Sequence, residues 1–140
     1  MRVKELAERS GVAAHVIRYY TRLGLLHPVR ERGNRYRSYA KQDVYRVRFI
    51  RRARWLGFTL SDVGSILEEA DSGVSPCPEV RDLIERRARE NHRRLDAVNA
   101  LQQRMEASIA RWATLPDRLP DHDSLCYLID LVADGDDLLT

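Results

Sequence analysis

Apolar positions at helical spacing predict two short helices near the start of the chain. The first has a stripe formed by Val3, Leu6 and Ala7, which breaks at Ser10-Gly11. The second resumes the pattern at Val12, Val16, Ile17 and Tyr20. A residue without Cβ lets the backbone turn sharply, so Gly11 fits the bend of a helix-turn-helix.

The pattern then changes to that of an extended hairpin. The segment ERGNRYRSY, residues 31–39, combines a turn at Gly33-Asn34 with the strand-favouring residues Tyr36 and Tyr39. A hairpin at this place would form a wing beside the helix-turn-helix.

Two further helices are predicted between the wing and residue 70. The first runs from Asp43 to Leu56, and its inward-facing apolar residues would be Val44, Val47, Ile50, Ala53 and Trp55. The second begins at Thr59, where Asp62 at the third helical position completes a capping box, and ends near Ala70.

A stretch free of Gly and Pro predicts one long helix from Glu79 to Trp112, roughly 50 Å in length. Its apolar residues have the spacing of a coiled coil: Ile84, Ala88, Leu95, Val98, Leu101, Met105, Ile109 and Trp112. Little else in 140 residues could cover this seam. We therefore predict a homodimer paired along it, with Asn91 as a polar residue able to set the register; a helix folded against its own domain is the alternative.

The last part of the chain is predicted to be a loop followed by a short helix. The loop covers residues 113–123, and Ser124 would cap a helix from Leu125 to about Val132. The final residues, ADGDDLLT, are expected to fray.

Charge separates the two halves of the chain. Residues 1–56 hold 15 Lys and Arg against 4 Asp and Glu, whereas residues 57–140 hold 9 against 17. A basic half beside an acidic one favours a polyanion as the partner of the first half. The charged N-terminal segment has no apolar signal core and no long apolar segment exists, so we expect no membrane association and a reduced, cytoplasmic setting for the two cysteines.

Candidate DNA-binding residues lie on the second helix and the wing, because a helix-turn-helix places its second helix in the major groove. The helix offers His15, Arg18, Tyr19 and Arg22, and the wing offers Arg30, Arg32, Arg35, Tyr36, Arg37 and Tyr39. Arginine suits phosphate, and tyrosine can donate to the same backbone. Tyr20 and Tyr39 are equally good candidates for core positions.

These segments carry a resemblance to a known family. The order VKELAERSGV, VIRYYTRLGLL, GNRYRSY and DVYRVRFIRRARWLGFTLSDVGSIL resembles the MerR family of bacterial transcription regulators, most specifically in IRYY and RRARWLGF. The resemblance implies a homodimer with an antiparallel helical linker that binds a palindromic double-stranded promoter. It also implies that the promoter is bent and untwisted so that RNA polymerase can use misaligned recognition elements.

The predicted fold class is all-α with a small β wing: a winged helix-turn-helix DNA-binding domain followed by a long antiparallel coiled-coil dimerisation helix. Three segments follow, namely the DNA-binding domain over residues 1–70, a linker and dimerisation helix over residues 71–112, and a ligand-binding loop with a terminal helix over residues 113–140.

The resemblance also implies a metal site. Metal-sensing members have one cysteine at the start of the dimer helix and another before the last helix, and here Cys77 and Cys126 hold these positions. In an antiparallel dimer Cys77 of one subunit approaches Cys126 of the other, and helix starts favour thiolates. Two sulfurs leave a tetrahedral ion incomplete, so His122 is the next ligand candidate, and such a mixed site suits a divalent cation, Zn²⁺ first. Further oxygen donors could be Asp117, Asp121 or Asp123.

Several alternatives stay open at this point. The segment ARWATLPD lacks a further cysteine found in relatives, which disfavours all-sulfur sites for mercury or lead. Within the same fold, the chain could respond to thiol oxidation or to a small molecule, or it could be a regulator that has lost its ligand. Cys126 could be a small buried hydrophobe, and His122 could be a solvated loop residue. From a different functional class, the alternative is a coiled-coil adaptor that binds other proteins. No nucleophile–base arrangement, phosphate loop or acid–base carboxylate pair indicates an enzyme.

Overall fold

The computed structural model describes residues 1–132. Its elements are α1 (Val3–Ser10), α2 (Ala14–Arg22), β1 (Val29–Arg30), β2 (Arg37–Ser38), α3 (Asp43–Trp55), α4 (Leu60–Asp71), α5 (Cys77–Trp112) and α6 (Tyr127–Asp130). The two strands form one antiparallel sheet, so the predicted helical fold with a small β wing is confirmed. None of the described helices has the length and apolar character needed to cross a membrane.

The chain divides into two compact units, Met1–Glu90 and a second that begins at Asn91. The three segments predicted from the sequence, with limits at residues 70 and 112, stay a prediction. The expected fraying of residues 133–140 lies outside the described part of the chain.

The first unit has one apolar core, to which α1–α4 and the start of α5 contribute. Its most completely buried side chains are Leu6, Ile17, Leu26, Val47, Ile50, Val63 and Ile66. From α5, Leu83 is buried, and Val80 and Ile84 pack against this core. The first turns of the long helix therefore belong to the same packed unit as the helix-turn-helix.

The turn between α1 and α2 forms where the sequence predicts it. Gly11 has a φ of 71°, in the left-handed region that glycine adopts without a Cβ penalty. Its backbone N–H donates to the Glu8 carbonyl, and that of Val12 donates to Ala7. These bonds end α1 and direct the chain into α2.

One wing strand, β1, lies before the segment predicted as a hairpin, and the other, β2, lies within it. Val29 pairs with Ser38 and Arg30 with Arg37, so residues 31–36 form the loop of the hairpin. Tyr36 lies in that loop and not in a strand, because Asn34 organises the loop: its side-chain oxygen accepts the Tyr36 N–H at 2.9 Å.

The prediction that Trp55 faces inward is wrong: its side chain is 86% exposed. On α3, the buried residues Val47, Ile50 and Ala53 recur every three positions. Trp55 comes two positions after Ala53, about 200° further around the helix, and so lies on the outer face.

Asp62 caps α4 and also joins it to α5. The Thr59 hydroxyl accepts the Asp62 N–H at 3.0 Å and Asp62 Oδ2 accepts the Thr59 N–H at 2.9 Å, which forms the predicted capping box. The same carboxylate accepts two bonds from Arg87, each 2.7 Å long. Arg87 lowers the pKa of Asp62 from 3.8 to about 2, and the Thr59 bonds act in the same direction against burial.

The long helix begins two residues earlier than predicted. Its first residue is Cys77 and its second is Pro78, which is tolerated there because the first turn of a helix has no intrahelical use for that N–H. Ile84 packs against the core of the first unit and is not a free seam position. The seam from residue 95 onwards is exposed in the single chain: Leu95, Val98, Leu101, Met105 and Ile109.

The terminal helix is shorter than predicted and its cap is different. Helix α6 covers Tyr127–Asp130, and Cys126 is the N-cap residue, without a side-chain cap bond. The predicted cap, Ser124, instead donates its hydroxyl to the Asp130 carboxylate.

The ion pair at Asp62 predicts a pH-dependent contribution to stability. A carboxyl group whose pKa is lowered by folding stabilises the fold above its unfolded pKa, and this contribution is lost as pH falls from about 5 towards 2. We expect Asp62→Asn to lower the free energy of unfolding by about 2 kcal/mol at pH 7 and by much less near pH 2, measured by urea unfolding at fixed protein concentration. A difference that stays constant with pH would contradict this role; Asp71→Asn, at a half-exposed pair with Arg46, is the matched control and should have a smaller effect.

Candidate nucleic-acid interface and metal ligands

Helix α2 separates its residues into a buried face and an exposed face. Ile17 and Tyr20 are buried in the core. The four predicted contact residues on this helix, His15, Arg18, Tyr19 and Arg22, are exposed. Because the core holds Ile17 and Tyr20, these four side chains face solvent together.

A groove of about 660 Å³ joins α1, α2 and the wing. It brings Arg18 of α2 together with the predicted wing residues Arg35, Tyr36 and Arg37. Two further cations line it that the sequence reasoning did not assign, Arg2 and Lys4. Both belong to the basic half of the chain. The sequence does not indicate that they approach the wing, because this approach depends on tertiary packing. Five cations in one groove make a surface suited to a phosphate backbone.

Arg2 connects the start of the chain to the wing loop. Its guanidinium carbon lies 3.9 Å from the centroid of the Tyr36 ring, and its Nη2 lies 3.3 Å from Glu31 Oε2. Asn34 donates to the same Glu31 oxygen at 3.0 Å. The hydrogen bond from Asn34, and then that from Arg2, lowers the pKa of Glu31, so the loop is held by an ionised carboxylate.

Tyr39 lies in the core, which favours its interpretation as a core residue over its interpretation as a DNA contact. Its side chain is 3% exposed, and its hydroxyl lies 2.8 Å from that of Thr21 on α2. Since Thr21 donates its own hydroxyl hydrogen to the Ile17 carbonyl, Tyr39 is the donor to Thr21. The residue therefore anchors the end of the wing to the base of α2.

A second groove, of about 360 Å³, lies beside α2 where α3 ends and α4 begins. It is lined by the predicted contact residues His15 and Tyr19 together with Arg54 and Leu60. Arg54 donates to the Phe58 carbonyl at 2.8 Å, which fixes its direction. The sequence analysis did not assign Arg54 to this surface, because its approach to α2 depends on tertiary packing.

The candidate metal ligands are accessible, one at the start of α5 and two in or beside the loop before α6. Cys77 and Cys126 are free and exposed, and His122 is exposed in the loop before α6. In residues 1–132 of a single chain, no three His, Cys, Asp or Glu residues form a group that could hold a metal.

The loop before α6 is ordered by its own side chains. Asp121 Oδ1 accepts the N–H groups of Asp123 at 2.8 Å and Ser124 at 3.0 Å, so this carboxylate forms a turn. The Tyr127 hydroxyl donates to the Pro116 carbonyl, and the Arg118 guanidinium lies 4.3 Å from the Tyr127 ring centroid. The neighbouring Cys126 thus follows a structured loop.

Comparison with known families agrees with this geometry. Residues 1–70 match the family described as MerR HTH family regulatory protein, and residues 44–108 match the one described as MerR, DNA binding. The chain belongs to the MerR family. Two relatives extend the match of this MerR-family protein over nearly its full length. The HTH-type transcriptional regulator HmrR of Rhizobium leguminosarum bv. viciae is 35% identical over 96% of this chain and 99% of its own. The heavy metal-dependent transcription regulator 2 of Rhizobium meliloti is 30% identical over 96% and 88%.

Two solved structures with bound metals share the MerR fold of this chain. PbrR691 from Ralstonia metallidurans, in complex with lead(II), has a TM-score of 0.74 at 22% identity and covers 95% of this chain and 99% of its own. MerR from Bacillus megaterium, in complex with mercury(II), has a TM-score of 0.57 at 29% identity and covers 93% and 97%. The relatives of this chain are transcription regulators, and the chain is accordingly a regulator and not an enzyme.

The groove of the MerR-family chain predicts a specific salt effect. Replacing Arg18 with alanine should weaken binding to duplex DNA and reduce the slope of log K against log salt by about 0.9, the value for one phosphate contact. Fluorescence anisotropy with a promoter fragment at four salt concentrations measures this slope. Arg93→Ala, on the exposed surface of α5, is the matched control, and an equal loss of slope in both variants would refute the assignment.

The core position of Tyr39 in this MerR-family chain predicts an effect on stability and not on DNA binding. Tyr39→Phe removes the hydrogen bond to Thr21 and should lower the free energy of unfolding by about 1 kcal/mol. The folded variant should bind DNA within about twofold of the parent, because the ring stays in place. A loss of DNA affinity with unchanged stability would instead assign Tyr39 to the DNA contacts.

Proposed function

We propose that this MerR-family regulator is a homodimer that binds and distorts a palindromic promoter and responds to a divalent metal ion, Zn²⁺ first. In each of two sites, the metal would join Cys77 of one subunit to Cys126 and His122 of the other. RNA polymerase would then use the distorted promoter in the cytoplasm. The observation that carries the proposal is the pair of free, exposed thiols, which lie at the start of α5 and at the cap of α6.

The two grooves beside α2 support the DNA-binding part of the proposal. Both are lined by residues from α2 and by arginines from other elements, so cations surround the helix that would enter the major groove. We assign contacts to His15, Arg18, Tyr19 and Arg22 of α2, and to Arg35, Tyr36 and Arg37 of the wing. To these we add Arg2, Lys4 and Arg54, and we assign Tyr39 to the core.

The exposed seam of α5 supports the homodimer. Five large apolar side chains at coiled-coil spacing, from Leu95 to Ile109, are 43–67% exposed in the single chain. A second copy that packs along this seam removes them from water.

The donor chemistry supports a divalent metal shared between subunits. Thiolate sulfur and imidazole nitrogen are the usual ligands of Zn²⁺, and a structural or sensing ion needs three or four of them. Within residues 1–132 of one chain no such group of three forms, and a site shared between two chains would bring the donors together. That relatives are named as heavy metal-dependent or were solved with lead(II) or mercury(II) also favours a metal as the signal.

A subunit-mixing experiment tests the shared site. A dimer of Cys77→Ser chains and a dimer of Cys126→Ser chains each have no complete metal site. A mixed dimer of the two variants has one complete site, because the Cys77 of one chain meets the Cys126 of the other. After unfolding and refolding together in equal amounts, half of the dimers are mixed, so Zn²⁺ capacity should return to about a quarter of the parent value. Equilibrium dialysis with reduced protein measures this capacity.

The controls separate the rival functions. His92→Ala, an exposed histidine of α5, should leave Zn²⁺ capacity unchanged, whereas His122→Ala should weaken binding. No recovery on mixing would contradict a site between subunits, and parent affinity in both serine variants would refute the metal proposal. A Cys77–Cys126 disulfide that forms under mild oxidant and controls DNA binding would favour the thiol-redox alternative.

A further inference from the structure

One carboxylate serves two helices at once in the first unit. Asp62 Oδ2 accepts the Thr59 N–H at 2.9 Å and Arg87 Nε at 2.7 Å, and Asp62 Oδ1 accepts Arg87 Nη2 at 2.7 Å. The bond from Thr59 caps α4, and the two bonds from Arg87 join α4 to α5. A rotation of α5 against α4 therefore has to break either the cap or the ion pair.

The Arg87 bonds constrain a direction as well as a distance. Two parallel bonds from a planar guanidinium to a carboxylate hold both groups in one plane, which a lysine ammonium cannot do. The remaining nitrogen of Arg87 donates to Glu90 on the same helix at 2.8 Å. Leu83, one turn earlier on the same face of α5, is buried in the core. The start of α5 is thus held by the apolar contacts of Val80, Leu83 and Ile84 with the core, by the Arg87–Asp62 ion pair, and by the Ser65 hydroxyl, which donates to Glu79 at 2.6 Å. The ion pair is the contact among these that constrains a direction.

The Asp62 carboxylate lies in the first turn of α4, and the start of α4 borders the groove beside α2, the helix proposed to read DNA. Thr59, which Asp62 caps, is followed directly by Leu60, and Leu60 lines the groove that also contains His15 and Tyr19 of α2. The bonds from Arg87 to Asp62 and from Thr59 to Asp62 therefore lead to the end of α4 that borders this groove beside α2.

We propose that Arg87 and Asp62 are positioning residues that hold α5 in one direction against α4 and so set the half-site spacing that the dimer accepts. The inference rests on the proposed function, since it needs a dimer in which α5 connects two DNA-reading units. It concerns which promoters fit and does not depend on the metal.

The length of the helix makes a small angular freedom matter. From Arg87 to the end of α5 at Trp112 the helix extends roughly 37 Å, so a tilt of about 10° at Arg87 moves that end by about 6 Å. Base pairs rise about 3.4 Å each, so this displacement approaches two base-pair steps. A dimer with a loose contact at Arg87 would accept several spacings, whereas a fixed contact selects one.

The experiment measures binding of metal-free, full-length protein to palindromic duplexes whose half-sites are separated by spacers that differ by single base pairs. The parent should prefer one spacer sharply. In Arg87→Met, the ratio of affinities between the best spacer and its neighbours should fall by about fivefold or more, with the affinity for the best spacer within about threefold of the parent. Asp62→Asn should have the same effect, and the double variant should add little to it.

Two variants control for a loss of stability. Thr59→Ala removes one bond of the same cap but leaves the ion pair, and Arg46→Met removes the other bidentate pair, with Asp71, which does not involve α5. Both should lower the melting temperature and keep the spacing preference. Arg87→Lys, which folds with the charge in place, should still broaden the preference because it lacks the planar fork.

The outcomes distinguish this inference from the proposed function. The inference is overturned if Arg87→Met keeps the spacing preference of the parent, or if Arg87→Lys keeps it when the methionine variant does not fold. An equal broadening of the preference in Arg46→Met would overturn it as well. A parent that selects a spacer but does not respond to Zn²⁺ would refute metal sensing and leave the inference standing. A parent that binds no palindrome would overturn both.

Discussion

The uncovered apolar seam of α5 is the constraint on which the rest of the molecule depends. Burying the side chains between Leu95 and Ile109 is worth far more to a coiled coil than any exposed ion pair on the same helix, because the hydrophobic term scales with the area removed from water. In the dimer that we propose, pairing along that seam buries the apolar face that the 36-residue helix leaves exposed in the single chain. The proposed pairing would also set the number of DNA-reading units, since two copies would bring two α2 helices to one duplex.

Much of the fold follows from the sequence because each element is specified locally. Gly11 gives the turn between α1 and α2, the Thr59–Asp62 capping box begins α4, and the absence of Gly and Pro after Pro78 gives the long helix. These features depend on residues at most four positions apart. The exposed face of α2 also follows from the 3.6-residue period alone, which is why the exposure of its four candidate contact residues could be predicted.

Features that depend on residues distant in the chain were missed. Arg2 reaches the wing through Tyr36 and Glu31, about 30 positions away, and Arg87 reaches Asp62 across 25. Neither pairing has a local signal, since other basic residues nearby, such as Lys4 beside Arg2 and Arg86 and Arg89 beside Arg87, would fit the same acidic partner equally well from the sequence. Trp55 was assigned to the core because it is apolar, although its position on α3 is outside the buried stripe. The first wing strand lies before the predicted segment, and the side-chain bonds of Asn34 lie within residues 31–36, which form the loop.

The proposed metal site makes metal binding and subunit pairing thermodynamically linked. If donors from two chains are needed to complete a site, the ion has weak affinity for a separated chain and strong affinity for the dimer, so it stabilises the dimer by mass action. In the proposed dimer the seam already joins the two chains without metal. Most of the difference in binding free energy of the ion between two states of the dimer would then be available for a change within the dimer. A metal bound at the start of α5 acts next to the contacts of Val80 and Leu83 with the core of the first unit. The DNA-binding unit is therefore the first part of the molecule that such a change would reach.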